Sequence, residues 1–177
     1  KKTKYFFNHM TKTSENNLYN SILLLSRNKL FYTKFKLVDT FQNRVYLIFI
    51  HISFLFIKIK QTNQTFIYKE FYQKMFDLIF NKIELNLREI GYGDTLINKN
   101  MKFLVKSFYD ILLKCENFKK MEDGDKVRFI SKYVEIENTK NTVNNKALID
   151  YFDKYQAFCF DLDSDSVLKG DLKFNYK

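Results

Sequence analysis

The sequence predicts an all-α fold: a single-domain bundle of about six helices around one buried apolar helix at about residues 40–60. Apolar residues recur at steps of three and four along almost the whole 177-residue chain. The chain contains no proline, so only its four glycines and some Asn/Asp clusters are expected to interrupt helices. Its length is typical of one domain with its own hydrophobic core.

The first half of the chain predicts two helices. Residues 1–13 are basic and polar and are expected to form a flexible N-terminus before a helical domain over 14–177. Ser14 can cap a first helix that ends near Arg27. Asp39, followed three residues later by Gln42, has the spacing of a capping box and predicts the start of the next helix. Because that helix is apolar on all sides, it should lie in the middle of the bundle.

The second half predicts the remaining helices. They are expected over 65–90, from residue 98 or 100 to 115, over 126–137, and from a cap at Asn144 or Asn145 to about 160. Gly91 stands where a left-handed residue would end the first of these. The tail from Asp161 is acidic and then apolar, and we expect it to be extended.

Charge and hydropathy indicate a soluble protein with a basic N-terminal third. The net charge is +10, and residues 1–60 carry +9 of it. A basic surface attracts nucleic acid, ribosomes or anionic lipid. Only four of the 30 basic residues are arginines, so codon bias towards lysine is the alternative to a functional origin of the charge. The most apolar stretch, Val45–Ile57, is shorter than the about 20 residues that a membrane span needs.

No pattern of an enzyme or of a metal site is present. The sequence has no GxSxG, HExxH, GxGxxG or phosphate-binding loop. The acidic run at Asp161 lacks the glycine and the glutamate of a calcium loop. Cys115 and Cys159 have no ligand spacing and are expected to be core residues in a reducing compartment. We therefore predict no catalytic residue, no metal, no cofactor and no small-molecule substrate.

His51 has two interpretations, since it lies midway along the most apolar helix. A hydrogen-bonded core histidine is the favoured one, and a haem or metal ligand is the alternative. No second ligand stands at helical spacing from it.

Two segments contain three of the four arginines and two of the four glycines. The first comprises Leu25–Arg27, Phe31–Tyr32, Leu37–Arg44 and Ile50–His51, and the second comprises Phe76–Asp77, Leu87–Asp94 and Phe108–Tyr109. These residues resemble the ubiquinol–cytochrome c chaperone family, the assembly chaperones of respiratory complex III. The match runs from about residue 18 to 115, with a looser echo at Leu168 to Phe174. Its most specific element, Leu-Arg-Glu-x-Gly-x-Gly-Asp, is intact at Leu87–Asp94.

The sequence departs from the family pattern at three places. Val38 replaces the proline of Val-Pro-Asp-Thr-x-x-Gly-Arg, and Asn43 replaces its glycine. Asp110-Ile111 replaces a final Gly-Arg, so this chain has no arginine at that place. We expect the first two to be tolerated, because Asp39 can still cap the helix and asparagine accepts left-handed geometry.

The resemblance implies a non-enzymatic assembly factor that binds newly made cytochrome b. It also implies a small partner assembly subunit, the ribosome near its exit tunnel, and a peripheral position on the inner membrane, against its anionic surface. That position is on the cytoplasmic side in a bacterium and on the matrix side in a mitochondrion. The partner-binding residues that it implies are Arg27, Asp39, Thr40, Arg44, His51, Arg88, Glu89, Gly91, Gly93 and Asp94.

The motif residues also have structural interpretations of their own. Asp39 and Thr40 are typical of a helix start, and Arg44 can pair with an acidic neighbour. Arg88 and Asp94 can form a clamp around the glycine turn, with Asp94 accepting backbone N–H bonds. The alternative function is a basic helical module that binds nucleic acid or the ribosome without a cytochrome b client.

Overall fold

The computed structural model describes residues 12–137 and 142–176, and the predicted flexible segment 1–13 lies outside this part except for its last two residues. Six of the described helices have eleven residues or more, which confirms the predicted all-α bundle. They are α1 (Lys12–Ser26), α3 (Phe41–Lys60), α4 (Thr65–Glu89), α5 (Asp94–Asn117), α6 (Asp123–Tyr133) and α7 (Thr142–Asp161). Two short helices, α2 (Leu30–Thr33) and α8 (Ser164–Lys169), and a 3-10 turn at Phe118–Lys120 complete the described part.

Helix α3 is the buried centre of the bundle, as predicted. It packs against α1, α4, α5 and α7. The helix is long and apolar enough to cross a membrane, with a mean hydropathy of 1.2, but 83% of that window is buried inside the protein. Such burial is typical of the core helix of a bundle.

The start of α3 differs from the predicted capping box. Thr40 is the N-cap, and its Oγ1 accepts a hydrogen bond from the backbone N–H of Asn43 at 3.1 Å. Asp39 binds Arg44 instead, and the Gln42 amide donates to Tyr46. The helix therefore begins one residue later than the Asp39–Gln42 spacing predicts.

Phenylalanine fills much of the interior. Nine phenylalanines are among the largest fully buried side chains. Around the middle of α3, Phe49 stacks on Phe80 at 5.4 Å and meets the edge of Phe108 at 5.2 Å between ring centroids. The high phenylalanine content is therefore mainly a property of the core. Cys115 and Cys159 are buried there as predicted, and burial raises the pKa of Cys159 to about 12.

Several predicted boundaries are wrong. Helix α5 begins at Asp94 rather than after residue 98, α6 covers Asp123–Tyr133, and α7 begins at Thr142, before the predicted caps. The acidic tail is not extended at first, because Asp163 caps α8 by accepting from the Ser166 N–H at 2.8 Å. The expected extended segment starts only after Gly170, where the φ of +78° ends the helix.

Candidate functional site

Some motif residues from each of the two segments meet at one end of the bundle, which we call the arginine end. It comprises Arg27 after α1, the segment 39–44 at the start of α3, and the segment 88–94 between α4 and α5. Arg27, Arg44 and Glu89 line one groove there, although 62 residues separate the first from the last in the chain. Packing thus joins residues that the sequence places far apart.

The groove at the arginine end has an apolar lining and a charged rim. Its volume is about 290 Å³. Its apolar lining residues are Leu23, Phe41, Val45, Ile48, Ile83 and Ile90. Arg27 and Glu89 are exposed at the rim, and neither forms an ion pair with another described residue. The groove can accept a large apolar side chain of a partner. Arg27 and Glu89 can then each pair with a charged residue next to that side chain.

Arg44 is oriented by a bidentate ion pair. Its Nε donates to Asp39 Oδ1 and its Nη2 donates to Asp39 Oδ2, each at 2.8 Å. The bonds to Asp39 raise the pKa of Arg44, and burial raises the pKa of the adjacent Tyr32 hydroxyl. Such a pair fixes the planar guanidinium at the edge of the groove.

Arg88 forms the predicted clamp. Its Nη1 donates to Asp94 Oδ1 at 2.7 Å, and its Nη2 donates to Glu84 Oε1 at 2.8 Å. The interpretation as an Arg–Asp clamp around the glycine turn is therefore confirmed. The predicted capping role of Asp94 is wrong, because Gly93 is the N-cap of α5 and the Asp94 carboxylate is held by Arg88. Asp94 also lies in the first turn of α5, where its negative charge interacts favourably with the helix dipole.

Gly91 ends α4 in the left-handed conformation that its position predicted, with a φ of +98°. Its N–H donates to the carbonyl of Arg88, and the N–H of Tyr92 donates to the carbonyl of Leu87. This pair of bonds is a Schellman motif. Gly93 has extended backbone and only begins α5. The turn holds Arg88 and Asp94 close enough to pair.

His51 is a fully buried core residue, which confirms the favoured of its two interpretations. Nδ1 lies 2.6 Å from the carbonyl oxygen of Leu47, which can only accept, so Nδ1 carries the proton. Nε2 then accepts from the Tyr151 hydroxyl at 2.8 Å. Burial lowers the pKa of His51 to about 4. Both ring nitrogens are hydrogen-bonded, so neither is available to coordinate iron. Because the ring is buried, His51 can affect partner binding only by stabilising helix α3.

Val38 and Asn43, the two residues near the start of α3 that depart from the family pattern, both bind the backbone of Glu135. The N–H of Val38 donates to the Glu135 carbonyl at 3.0 Å, and a proline there would have no N–H to donate. The buried Asn43 side chain donates to the same carbonyl at 2.8 Å and accepts from the Glu135 N–H at 2.9 Å. Asn43 lies within α3, so the expectation of left-handed geometry at this position is wrong. Together the two residues attach the start of α3 to the segment after α6.

Ile90 lies at the groove and has no counterpart in the motif prediction. Its side chain is 56% exposed and lines the groove. Leu85 and Tyr92, near the same turn, are 53% and 42% exposed. The sequence signal was present, since Ile90 stands between the clamp arginine and Gly91, but its spacing of three from Leu87 and seven from Ile83 favours a buried position. Its exposed side chain is available to a molecule that enters the groove.

The described residues include no group of three or more His, Cys, Asp or Glu side chains that could hold a metal ion. The ionisable groups of the arginine end are paired with each other or open to solvent. None is arranged as a nucleophile next to a base.

Comparison with known proteins decides the family. The family model described as ubiquinol–cytochrome c chaperone matches residues 33–174. The chain belongs to this chaperone family. No curated protein matches the sequence. The crystal structure of the Cbp3 homolog from Brucella abortus has the same fold, with a TM-score of 0.77 and 21% sequence identity over 92% of this chain and 89% of that one.

Family membership makes the protein a chaperone of the assembly of complex III, as the motifs predicted. The matched region begins after Arg27 and includes the other motif residues of the arginine end. It also includes the segment 168–174, where the sequence showed its looser echo of the family.

Proposed function

We propose that the protein binds newly synthesised cytochrome b at the arginine end and holds it, without catalysing a reaction, until complex III is assembled. One observation carries this proposal: motif residues from distant parts of the chain surround a single groove with an apolar lining. Residues that only stabilised separate helices would have no reason to meet at one surface.

The chemistry of the groove suits a client made of transmembrane helices. Such a client exposes large apolar side chains before assembly, and burying apolar surface contributes about 25 cal/mol per Å². The groove can hold one such side chain, and the exposed Ile90 adds apolar contact at its edge. Arg27 and Glu89 can pair with charges that flank the client's apolar segment.

The same proposal places the protein peripherally at the inner membrane, on the cytoplasmic side in a bacterium or the matrix side in a mitochondrion. The N-terminal third, with 11 basic and 2 acidic residues in 1–60, suits the anionic surface of the membrane or of a ribosome near its exit tunnel. A small partner assembly subunit completes the set of proposed partners.

Two substitutions at the groove test the client proposal. Ile90→Asp places a carboxylate in the apolar lining, and Arg27→Glu reverses the free charge at the rim. Each should lower the cytochrome b that co-purifies from gently solubilised membranes by about tenfold, which corresponds to about 1.4 kcal/mol. The matched control is Lys69→Glu, an equal charge reversal at an exposed position of α4.

The measurement includes the melting temperature of each variant, because Ile90 and Arg27 are exposed and their substitution should leave the fold intact. Folded variants that retain cytochrome b as well as the wild-type protein would refute the groove as the client site. A loss that occurs equally with Lys69→Glu would show that overall charge, and not the groove, is responsible.

A further inference from the structure

Helix α5 has an outer face whose side chains are exposed to solvent, although Tyr109 on this face also stacks on Phe76 of α4 at 6.1 Å between ring centroids. Six side chains on it are exposed, and we call this set the α5 outer face: Lys99, Lys102, Phe103, Lys106, Tyr109 and Leu113. The opposite side of α5, with Leu104, Phe108 and Ile111, is buried against the core. The face extends over about 21 Å from Lys99 to Leu113, at 1.5 Å per residue.

The lysines of this face are electrostatically unbalanced. No acidic residue occurs between Thr95 and Tyr109. The described ion pairs include none of Lys99, Lys102 and Lys106, whereas the acidic residues further along α5 are occupied: Asp110 binds Lys132, and Glu116 binds Lys60. Three cations therefore lie on one side of the helix within about two turns, available to an anionic partner.

Phe103 lies among these cations, and Tyr109 and Leu113 lie beyond them along the helix. Phe103, Tyr109 and Leu113 are 51–59% exposed. A helix in the headgroup region inserts such apolar residues between the acyl chains while its lysines reach the lipid phosphates. Sequence-independent binding of single-stranded nucleic acid stacks bases on aromatic rings, whereas Leu113 has no ring on which a base could stack.

We propose that the α5 outer face docks on an anionic lipid bilayer, with the three lysines at the headgroups and Phe103 and Leu113 inserted below them. The proposal rests on the peripheral membrane position proposed above and specifies how it is achieved. Because α5 begins at the arginine end, docking would hold the groove next to the membrane in which the client inserts.

Tryptophan fluorescence tests the insertion, because the chain has no tryptophan of its own. Phe103→Trp introduces a single fluorophore at the proposed depth, and Leu24→Trp places one on α1, at a side chain that is 73% exposed. With vesicles of phosphatidylcholine and phosphatidylglycerol, Trp emission of the first variant should shift to shorter wavelength and be quenched by brominated lipid. Emission of the second should not change. No shift at position 103, or equal shifts at both positions, would overturn the proposal.

Charge neutralisation tests the electrostatic part in the same vesicles. The triple variant Lys99→Gln, Lys102→Gln and Lys106→Gln should lower the partition coefficient by about 100-fold, since each lysine near an anionic surface contributes about fivefold. A control triple variant has the same net charge as the first triple variant, because it neutralises one exposed lysine on each of three other helices: Lys69→Gln, Lys146→Gln and Lys169→Gln.

The control triple should bind close to the wild-type level. An equal loss in both triples would show a diffuse charge effect and overturn the assignment of the face. So would a result in which the first triple loses binding to ribosomal RNA but not to vesicles, because the lysines would then contact nucleic acid. The vesicles contain no cytochrome b, and the client test is done in detergent, so either proposal can fail without the other.

Discussion

Acidification from about pH 7.5 to about pH 5 should destabilise the protein through His51. Its ring is fully buried between the Leu47 carbonyl and the Tyr151 hydroxyl, and burial lowers its pKa from 6.5 to about 4. In the unfolded chain the imidazole has its ordinary pKa, so between these values the unfolded state binds a proton that the folded state does not.

The sign and the size of the effect follow from this difference. The folded-state pKa lies below the unfolded one, so the stabilisation is complete above about pH 6.5 and is lost as the pH falls towards 4. The whole window corresponds to about 3 kcal/mol of unfolding free energy, of which about 2 kcal/mol are lost by pH 5. The carboxylates with lowered pKa values, Asp110, Asp150 and Asp163, lose their contributions mainly below about pH 4, outside this window.

Urea unfolding at the two pH values, followed by circular dichroism, measures the effect. The control is the double variant His51→Leu/Tyr151→Phe, which removes both polar partners and should be almost independent of pH in this range. Tyr151→Phe alone leaves Nε2 without its donor, so it should cost about 1–3 kcal/mol and keep the pH dependence. Equal pH dependence in the wild-type protein and the double variant would refute the assignment to His51.

Two further predictions concern backbone positions and can be checked by urea unfolding. Gly91 and Gly170 both have positive φ, but a Cβ at Gly91 meets nothing within 4 Å, whereas one at Gly170 lies 2.6 Å from the backbone N of Leu18. Gly91→Ala should therefore cost about 1 kcal/mol and Gly170→Ala about 3 kcal/mol or more, and equal losses would contradict the close approach. Asn43→Ala removes both bonds to the Glu135 backbone and should cost about 3 kcal/mol, so a loss below about 1 kcal/mol would show that water replaces them.

The sequence predicted best the helices with a strong apolar period and a glycine stop. Helix α4 was expected over 65–90 and covers Thr65–Glu89, and Gly91 has the left-handed φ that its place predicted. Helix α3 was expected at about 40–60 and covers Phe41–Lys60. In these cases local propensity and burial favour the same boundaries.

Helix starts were harder to predict, because a capping side chain is only one way to begin a helix. Helix α5 starts after Gly93, which has no side chain to cap with, and its first turn is held by the ion pair of Asp94 with Arg88. The short α8 had visible signals in Asp163 and Gly170. The sequence analysis did not use these signals, because it predicted an extended tail from Asp161.

The site was predictable in its residues but not in its geometry. The motif pattern identified Arg27, Arg44 and Glu89, but their meeting around one groove depends on how α1, α3 and α4 pack, which no local spacing encodes. The binding of Asn43 to Glu135, 92 residues away, was equally invisible to local reasoning. An exposed Ile90 contradicts the helical period, and only the fold shows that it lies beside the groove.

The most direct test of the account is a tagged pull-down from gently solubilised native membranes, in which bound proteins and RNA are both identified. The account predicts cytochrome b enriched over other membrane proteins, retained after nuclease and moderate salt, and lost with Ile90→Asp. Ribosomal RNA recovered without cytochrome b, and released by salt, would contradict it and would favour a basic module that binds nucleic acid.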